Sequence, residues 1–321
     1  MEPVQPPSDA FKGHPGADRT GTPLKDIRKR LPLRVLSEAD WRNWTSDGYV
    51  IVRQAVPMAN VERLIDLLWR FEEKDPNDPS TWYAPQRRAH GRVELNNTGM
   101  VEIYSHQYLW DNRQEKRVYD AFVDIWDRED LWVAVDRANL NPPKRVPGDP
   151  TGFIHWDVDT SLRPLPVGVQ GVLSLVRQDE AIGGFQCVPE LFRDFDAWVK
   201  TQPADRNPML PDITGLRIVN VEMEPGDLLI FNSLLAHGVR PNHSGNRVRM
   251  AQYIAMFPAR EHDSVEREER VRLWRERGTP SGGWPGDPLA WESHYAETAR
   301  LTPLGERLLG LASWRDQAAG A

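Results

Sequence analysis

Residues 153–158 read Phe153-Ile154-His155-Trp156-Asp157-Val158, and residues 228–238 read Leu228-Leu229-Ile230-Phe231-Asn232-Ser233-Leu234-Leu235-Ala236-His237-Gly238. The first stretch alternates as a strand does. Positions i and i+2 of a strand share a face, so His155 and Asp157 point together while Trp156 points away. The second is an apolar strand launched by the turn Pro225-Gly226-Asp227 and ending in His237 followed by glycine. It is the expected source of a third ligand.

Two histidines and one carboxylate on one octahedral face leave three positions open, which suits iron(II) that must bind both a cosubstrate and dioxygen. Four-coordinate zinc would not need that vacancy. Two other residues compete as ligands. Asp159 shares the face of His155, but i+4 on a strand lies roughly 13 Å along from i. His243 sits in the polar loop Arg240-Pro241-Asn242-His243-Ser244-Gly245-Asn246, where a solvated turn residue is expected. Past that loop, residues 247–256 read as a core strand with Arg247 and Arg249 at its start. An inward arginine beside a metal is costly unless it meets an anion, and its planar fork matches a carboxylate. Arg249 opens the apolar run and is the expected clamp for an anionic cosubstrate. Arg247, on the same strand face, is the alternative, and a salt bridge on the barrel rim is the structural one.

Working outward, strand-like runs recur near 131–140, 152–158, 168–176, 184–188, 216–223, 227–233 and 247–257. Turns rich in Pro, Gly and Asp separate them, and one helix from Pro189 to about Lys200 interrupts them. Upstream, Ser37 and Asp40 spell a capping box for a helix to about Thr45, with Leu36 as its staple and Gly48 at its end. Tyr49–Val52 reads as a strand, and 58–73 and about 113–126 as amphipathic helices. Helices leading into many short strands, without βαβ alternation, predict a mainly β fold with flanking helices, its core a double-stranded β-helix (jelly-roll, cupin-like).

Three segments are expected. Residues 1–33, rich in Pro, Gly and charge, form a flexible arm whose basic cluster Lys25, Arg28, Lys29 and Arg30 is solvated. Residues 34–258 form the jelly-roll domain with its N-terminal helices. Residues 259–321 are a helical, then irregular, extension packed on the core or a partner subunit. That extension carries Trp274, Trp284, Trp291 and Trp314 of the chain's 13 Trp, which should not stay exposed. It is expected to cover the open end of the barrel or a second subunit and to help define substrate choice, leaving the iron and cosubstrate sites independent of it.

Composition excludes several classes. A net charge of −7 over 321 residues offers no basic excess for binding nucleic acid. The single cysteine, Cys187, cannot form an internal disulfide, which fits a reducing compartment. The first residues lack the apolar stretch of a signal peptide, and no run approaches the ~20 apolar residues of a membrane span. A cytoplasmic protein that engages no membrane is the expectation, and a homo-oligomer is compatible with it.

His155-Trp156-Asp157, then Glu224-Pro225-Gly226-Asp227 leading to His237-Gly238, then a strand opening with Arg249, resemble the phytanoyl-CoA dioxygenase family of iron/2-oxoglutarate oxygenases. The similarity runs from about Leu36 to Pro258, and the opening Asp47-Gly48-Tyr49-Val50-Ile51-Val52-Arg53-Gln54-Ala55-Val56-Pro57 before a helix is also similar to that family's start. Asn141-Pro142-Pro143 stands at the family's Lys-Pro-Pro place. Val176-Arg177, Cys187-Val188-Pro189-Glu190 and Val239 depart from its usual acidic residues, Pro-Gly-Ser-His ending and serine. The resemblance implies iron(II) held by His155, Asp157 and His237, and 2-oxoglutarate held at its distal carboxylate by Arg249. It also implies dioxygen and a small-molecule metabolite whose C–H bond is hydroxylated as succinate and carbon dioxide leave. By the same resemblance Arg137 or Asn139, and Gln170, face the cosubstrate.

Glu102, Tyr104 and His106 alternate along Val101-Glu102-Ile103-Tyr104-Ser105-His106 and line either the substrate side or an exposed strand face. Because Asp157 supplies a carboxylate, no place is freed for chloride, and halogenation is disfavoured. Desaturation, epoxidation or ring rearrangement with the same cofactors is the alternative outcome. A non-redox, cupin-like metal- or ligand-binding protein is the rival from another class, against which Arg249 argues, since a metal store has no need for an anion clamp.

Overall fold

A computed structural model of the chain describes residues 24–84, 99–145, 152–280 and 290–315. Local signals set its first elements. Ser37 accepts a hydrogen bond from the Asp40 amide at 3.1 Å and the Asp40 carboxylate accepts one from the Ser37 amide at 2.9 Å, so helix α1 (Glu38–Asp47) starts where the capping box puts it. It stops at Gly48, left-handed at φ 78. Strand β1 (Tyr49–Val52) and helix α2 (Met58–Phe71) follow, then β2 (Met100–Val101), α3 (Gln107–Arg113) and α4 (Lys116–Trp126). Next come β3 (Leu131–Val133), β4 (Ala138–Asn141), β5 (Phe153–His155), β6 (Val169–Ser174) and β7 (Gly184–Cys187). Two short helices, α5 (Pro189–Arg193) and α6 (Phe195–Val199), precede β8 (Val219–Asn220), β9 (Leu228–Asn232), β10 (His237–Arg240), β11 (Arg249–Tyr253) and β12 (Met256–Pro258). The chain closes with α7 (Ser264–Glu276), α8 (Trp291–Tyr295) and α9 (Pro303–Leu309).

The strands pair antiparallel into a six-stranded sheet ordered β1-β9-β6-β11-β4-β2, a four-stranded sheet ordered β5-β10-β7-β8, and the small pair β12-β3. Period-2 patterning decides what each face meets. On β9, Leu228 and Ile230 join a cluster with Val61, Leu64 and Leu68 of α2 and with Phe122 and Ile125 of α4. Leu229 and Phe231, on the opposite face, join Ile154, Phe185 and Cys187 of the four-stranded sheet. The rings of Phe185 and Phe231 approach to 4.8 Å between centroids. Each such buried side chain contributes roughly 1.5–3 kcal/mol, so the two sheets are held face to face while helices cover the larger sheet's back.

That back accounts for a correction. The fold is not mainly β: helices hold more of the described residues than strands do. A six-stranded sheet with one apolar face against its partner has a second apolar face to bury, and α2, α4 and α9 bury it. Two long strand-like runs also divide. Residues 131–140 become β3 and β4 in different sheets, and 247–257 break between β11 and β12 to match, since β12 pairs with β3. Along 101–106 the strand stops at Val101, and His106 instead caps α3, accepting from the Tyr108 amide at 3.2 Å.

Of the arm expected over residues 1–33, residues 1–23 lie outside the described residues. Residues 24–33 are docked. Leu24 is buried, the Lys29 ammonium donates to the Asp124 carbonyl at 2.7 Å, and the Asp127 carboxylate accepts from the Arg30 and Leu31 amides at 2.9 and 2.8 Å. The extension after residue 259 packs on the same chain along the helical flank. Leu308 and Leu309 are fully buried in the helix-side cluster. Buried Arg270 donates to the carbonyls of Val133, Leu308 and Leu309. Trp314 stacks on Tyr119 at 5.6 Å and donates to the Leu131 carbonyl at 3.0 Å. No helix among the described residues is long and apolar enough to cross a membrane.

Candidate metal centre

β5 and β10 run antiparallel with His155 directly opposite His237, which sets the two imidazoles 4.8 Å apart between centroids. Their approach depends on Gly238, because a Cβ there would lie 1.8 Å from the Phe153 carbonyl oxygen. β5 ends at His155, so Asp157 lies in the bend just beyond the strand rather than within it. The i, i+2 geometry survives because Trp156 turns away. It is fully buried, lies edge-on to Phe195 and Trp198, and donates from Nε1 to the Leu234 carbonyl at 2.8 Å. His237 opens β10 instead of ending β9. A turn intervenes, held by the Asn232 side chain accepting from the Leu234 amide at 2.9 Å.

The three side chains converge. His155 Nε2 lies 3.1 Å from Asp157 Oδ1 and His237 Nε2 3.3 Å from Asp157 Oδ2, and one ligand atom from each falls within 4.8 Å of the others. Among the described residues this is the one group of three or more His, Cys, Asp or Glu that could hold a metal ion. Their surroundings prepare them for it. His237 Nδ1 lies 2.9 Å from the Leu235 carbonyl, a contact that fixes the ring so that Nε2 is the nitrogen turned towards Asp157. Phe185 lies parallel to the His237 ring at 5.6 Å, and Phe231 packs on it at 4.5 Å. Gln170 on β6 donates to Asp157 Oδ2 at 2.6 Å. Burial pushes the Asp157 carboxyl up, but hydrogen bonds and charge from His155 and His237 outweigh it and hold the group well below the usual carboxylate range. Phe153 stacks on His155 at 5.0 Å while remaining 60% exposed, and Val239 faces it across the strands.

The six-stranded sheet presents the opposite wall. Ala138, Leu140 and Met250 turn to the helices, so Asn139 and Arg249 turn inward with Ala251. Arg249 is 3% exposed and donates from Nη2 to Asn139 Oδ1 at 2.9 Å. Arg247 goes elsewhere. Its guanidinium makes a two-armed pair with Asp179 at 2.8 and 2.9 Å and is 41% exposed, and it holds the Asp179 carboxyl well below the usual range. Asp159 spends its carboxylate on Ser161, with its amide 2.8 Å away, and His243 is exposed in its loop.

Arg137, Glu102 and Tyr104 form one cluster, in which Glu102 and Tyr104 are buried and Arg137 partly so. Arg137 Nη1 reaches the Tyr104 hydroxyl at 2.8 Å and Glu102 at 3.5 Å, and that hydroxyl donates to Glu102. Burial and the Glu102 charge push the Tyr104 phenol far up. His106 does not join them. It lines a cavity of about 710 Å³ between α2, α3 and residues 291–300, and burial with the Arg70 charge lowers its imidazole. Two residues escaped sequence reasoning. Tyr253 lies on the inner face with Arg249 and Ala251, a signal available from i, i+2, i+4 spacing. Glu292 reaches the Tyr104 and Ser105 amides, and nothing local foretells it.

Comparison with known proteins supports these observations. A hypothetical protein, JW0805, of Escherichia coli superposes with a TM-score of 0.60 at 14% identity over 86% of this chain and 81% of its own. The GlcNAc Inducible Gene 2 protein of Candida albicans gives 0.56 at 12% identity over 84% and 75%. At these identities the likeness concerns the fold alone. "Ava biosynthesis cluster protein O" of Aspergillus versicolor is 26% identical over 249 residues, 69% of this chain and 78% of that protein. Residues 44–251, close to two thirds of the chain, match the sequence profile of Phytanoyl-CoA dioxygenase (PhyH), and they enclose His155, Asp157, His237 and Arg249. With that match over both facing sheets, the chain belongs to the phytanoyl-CoA dioxygenase family.

Proposed function

We propose that this chain is an Fe(II)- and 2-oxoglutarate-dependent dioxygenase that hydroxylates a C–H bond of a small-molecule metabolite. The carrying observation is the convergence of His155, Asp157 and His237, with inward-facing, buried Arg249 on the opposite wall. The pair of facing antiparallel sheets is read as a double-stranded β-helix, which the family match and the two superposed structures support.

The donor set fits the metal. Two imidazoles and one carboxylate leave positions for a chelating cosubstrate and dioxygen, and the Leu235 carbonyl at His237 Nδ1 supports ligation through Nε2. Iron(II) held there, with 2-oxoglutarate and dioxygen, supplies oxidation of a C–H bond with release of succinate and carbon dioxide. The chain's own residues do the positioning. Gln170 fixes the Asp157 carboxylate, and Trp156, anchored on Leu234, holds the bend that carries Asp157. Arg249 meets the distal carboxylate of 2-oxoglutarate, with Asn139 steadying the guanidinium. Phe185 and Phe231 seal the His237 ring from water, which keeps competing reactions out. A carboxylate at 157 also leaves no position for chloride, which disfavours halogenation.

Succinate assay tests this. Purified protein supplied with iron(II), 2-oxoglutarate and dioxygen should release succinate, and a metabolite screen read by faster succinate release should find the substrate. Iron binding without succinate under any condition would favour a non-redox metal-binding protein instead.

A further inference from the structure

The Tyr104 backbone is gripped from both sides. Its amide donates to Glu292 at 2.5 Å, and the next amide, Ser105, donates to both oxygens of the same carboxylate at 3.0 Å. Its carbonyl accepts from Arg113 Nη1 at 2.6 Å, and the other arm of Arg113 reaches the Asp136 carbonyl. Glu292 is 3% exposed and Arg113 fully buried. Burial draws the Arg113 guanidinium down to about 10, against the charges of Asp136 and Glu292 that support it. A buried carboxylate and a buried guanidinium thus bind together the backbones at 104 and 136. The side chains they carry forward, Tyr104 and Arg137, meet at 2.8 Å.

Arg137 stands where this grip reaches the inner wall. Its carbonyl accepts from the Tyr253 amide at 3.0 Å, which places it beside Tyr253 in register on the inner face. Two residues along the same face, Asn139 holds Arg249. Glu292 itself lies on α8, beyond the last residue of the family match. A segment needed only to cover apolar surface would do so with apolar side chains, since buried charges carry a desolvation cost. A carboxylate aimed at two backbone donors fixes position instead.

We propose, on the oxygenase reading above, that Glu292 is a positioning residue: through Tyr104 it sets Arg137 against the 2-oxoglutarate side of the metal centre. The cosubstrate site is therefore incomplete without the C-terminal extension. The proposed dependence stands against the expectation that the site is independent of the extension.

The test uses full-length protein loaded with manganese(II) in place of iron, without oxygen, titrated with 2-oxoglutarate by calorimetry. Arg137→Leu should weaken binding about tenfold, the scale of one charge-assisted hydrogen bond. Glu292→Gln keeps the shape and one accepting oxygen, and should weaken it about threefold. The double variant should be no weaker than Arg137→Leu alone, because both act through one contact. Manganese affinity should be unchanged throughout. Trp314→Phe, which loses a different hydrogen bond of the extension, should lower the melting temperature yet leave 2-oxoglutarate affinity intact. Wild-type affinity in Glu292→Gln or in Arg137→Leu, additive losses in the double variant, or an equal loss in Trp314→Phe would overturn the assignment. Absence of 2-oxoglutarate binding in the wild-type protein would overturn the oxygenase reading itself.

Discussion

The two facing sheets carry different halves of the site by different means. The four-stranded sheet brings its candidate ligands from adjacent strands, with His155 and His237 directly paired and Asp157 two residues past a strand end. The six-stranded sheet brings its polar residues from three strands: Gln170 on β6, Asn139 on β4 and Arg249 on β11. On the proposed reading, the small sheet therefore makes a compact centre that should tolerate no missing member. The large sheet makes a wall whose members support one another, so single losses there should be graded.

The largest expected effect breaks the first half. His155→Ala, Asp157→Ala or His237→Ala should each cut succinate release on the order of 10³-fold or more and abolish iron loading, since a lost ligand removes several kcal/mol of catalysis. If His243→Ala does this while His237→Ala does not, the ligand set is misassigned. On the other wall, Arg249→Leu should weaken 2-oxoglutarate binding by about 1.5–3 kcal/mol, and so raise the 2-oxoglutarate requirement, with iron still bound. Arg247→Leu, whose charge already meets Asp179, should change it little. An impaired Arg247 variant beside a normal Arg249 variant would move the clamp by two residues.

Gln170 joins the halves by reaching across to Asp157. Gln170→Leu should reduce iron affinity about tenfold, the low end for an outer partner of a metal ligand, measured by competition with a chelator. An unchanged affinity would separate the two walls.

The smallest effect lies far from both. Burial pushes the Asp127 carboxyl up, but the amides of Leu31 and Arg30, the Arg30 side chain and the Lys29 charge prevail and hold it below the usual range. A carboxyl depressed on folding contributes stability that is present above its unfolded pKa of about 4. That contribution is lost as pH falls through the folded value. Residues 24–36 should accordingly lose hydrogen-exchange protection below about pH 4, with no such loss between pH 5 and 8. Protection that fails first on the alkaline side would reverse the sign.

Much of this was legible in the residues, and what was not has a physical cause. The capping box at Ser37, the helix stop at Gly48 and the period-2 faces of β9 and β11 are local, and each formed where its chemistry placed it. The convergence of His155, Asp157 and His237 was legible from i, i+2 spacing and a His-Gly after an apolar strand, although Asp157 lies in a bend past β5 and His237 opens β10 instead of ending β9. The division of 131–140 into two strands was not, because its apolar run is continuous and only pairing of β3 with β12 separates the halves. The helices burying the back of the large sheet led to an excess of helix that a count of strand-like runs misses. His106 reads as a strand residue by alternation, yet caps a helix because its imidazole can accept from Tyr108. Glu292 was illegible for a simpler reason: its partners are backbone amides 187 and 188 residues away, which leave no side-chain pattern.

The most direct measurement is succinate formed per 2-oxoglutarate consumed, with and without iron(II), in the wild-type and Asp157→Ala proteins. Iron-dependent, one-to-one conversion in the wild-type protein and none in the variant is the predicted result. Conversion that does not need iron, or that survives the loss of Asp157, would contradict it.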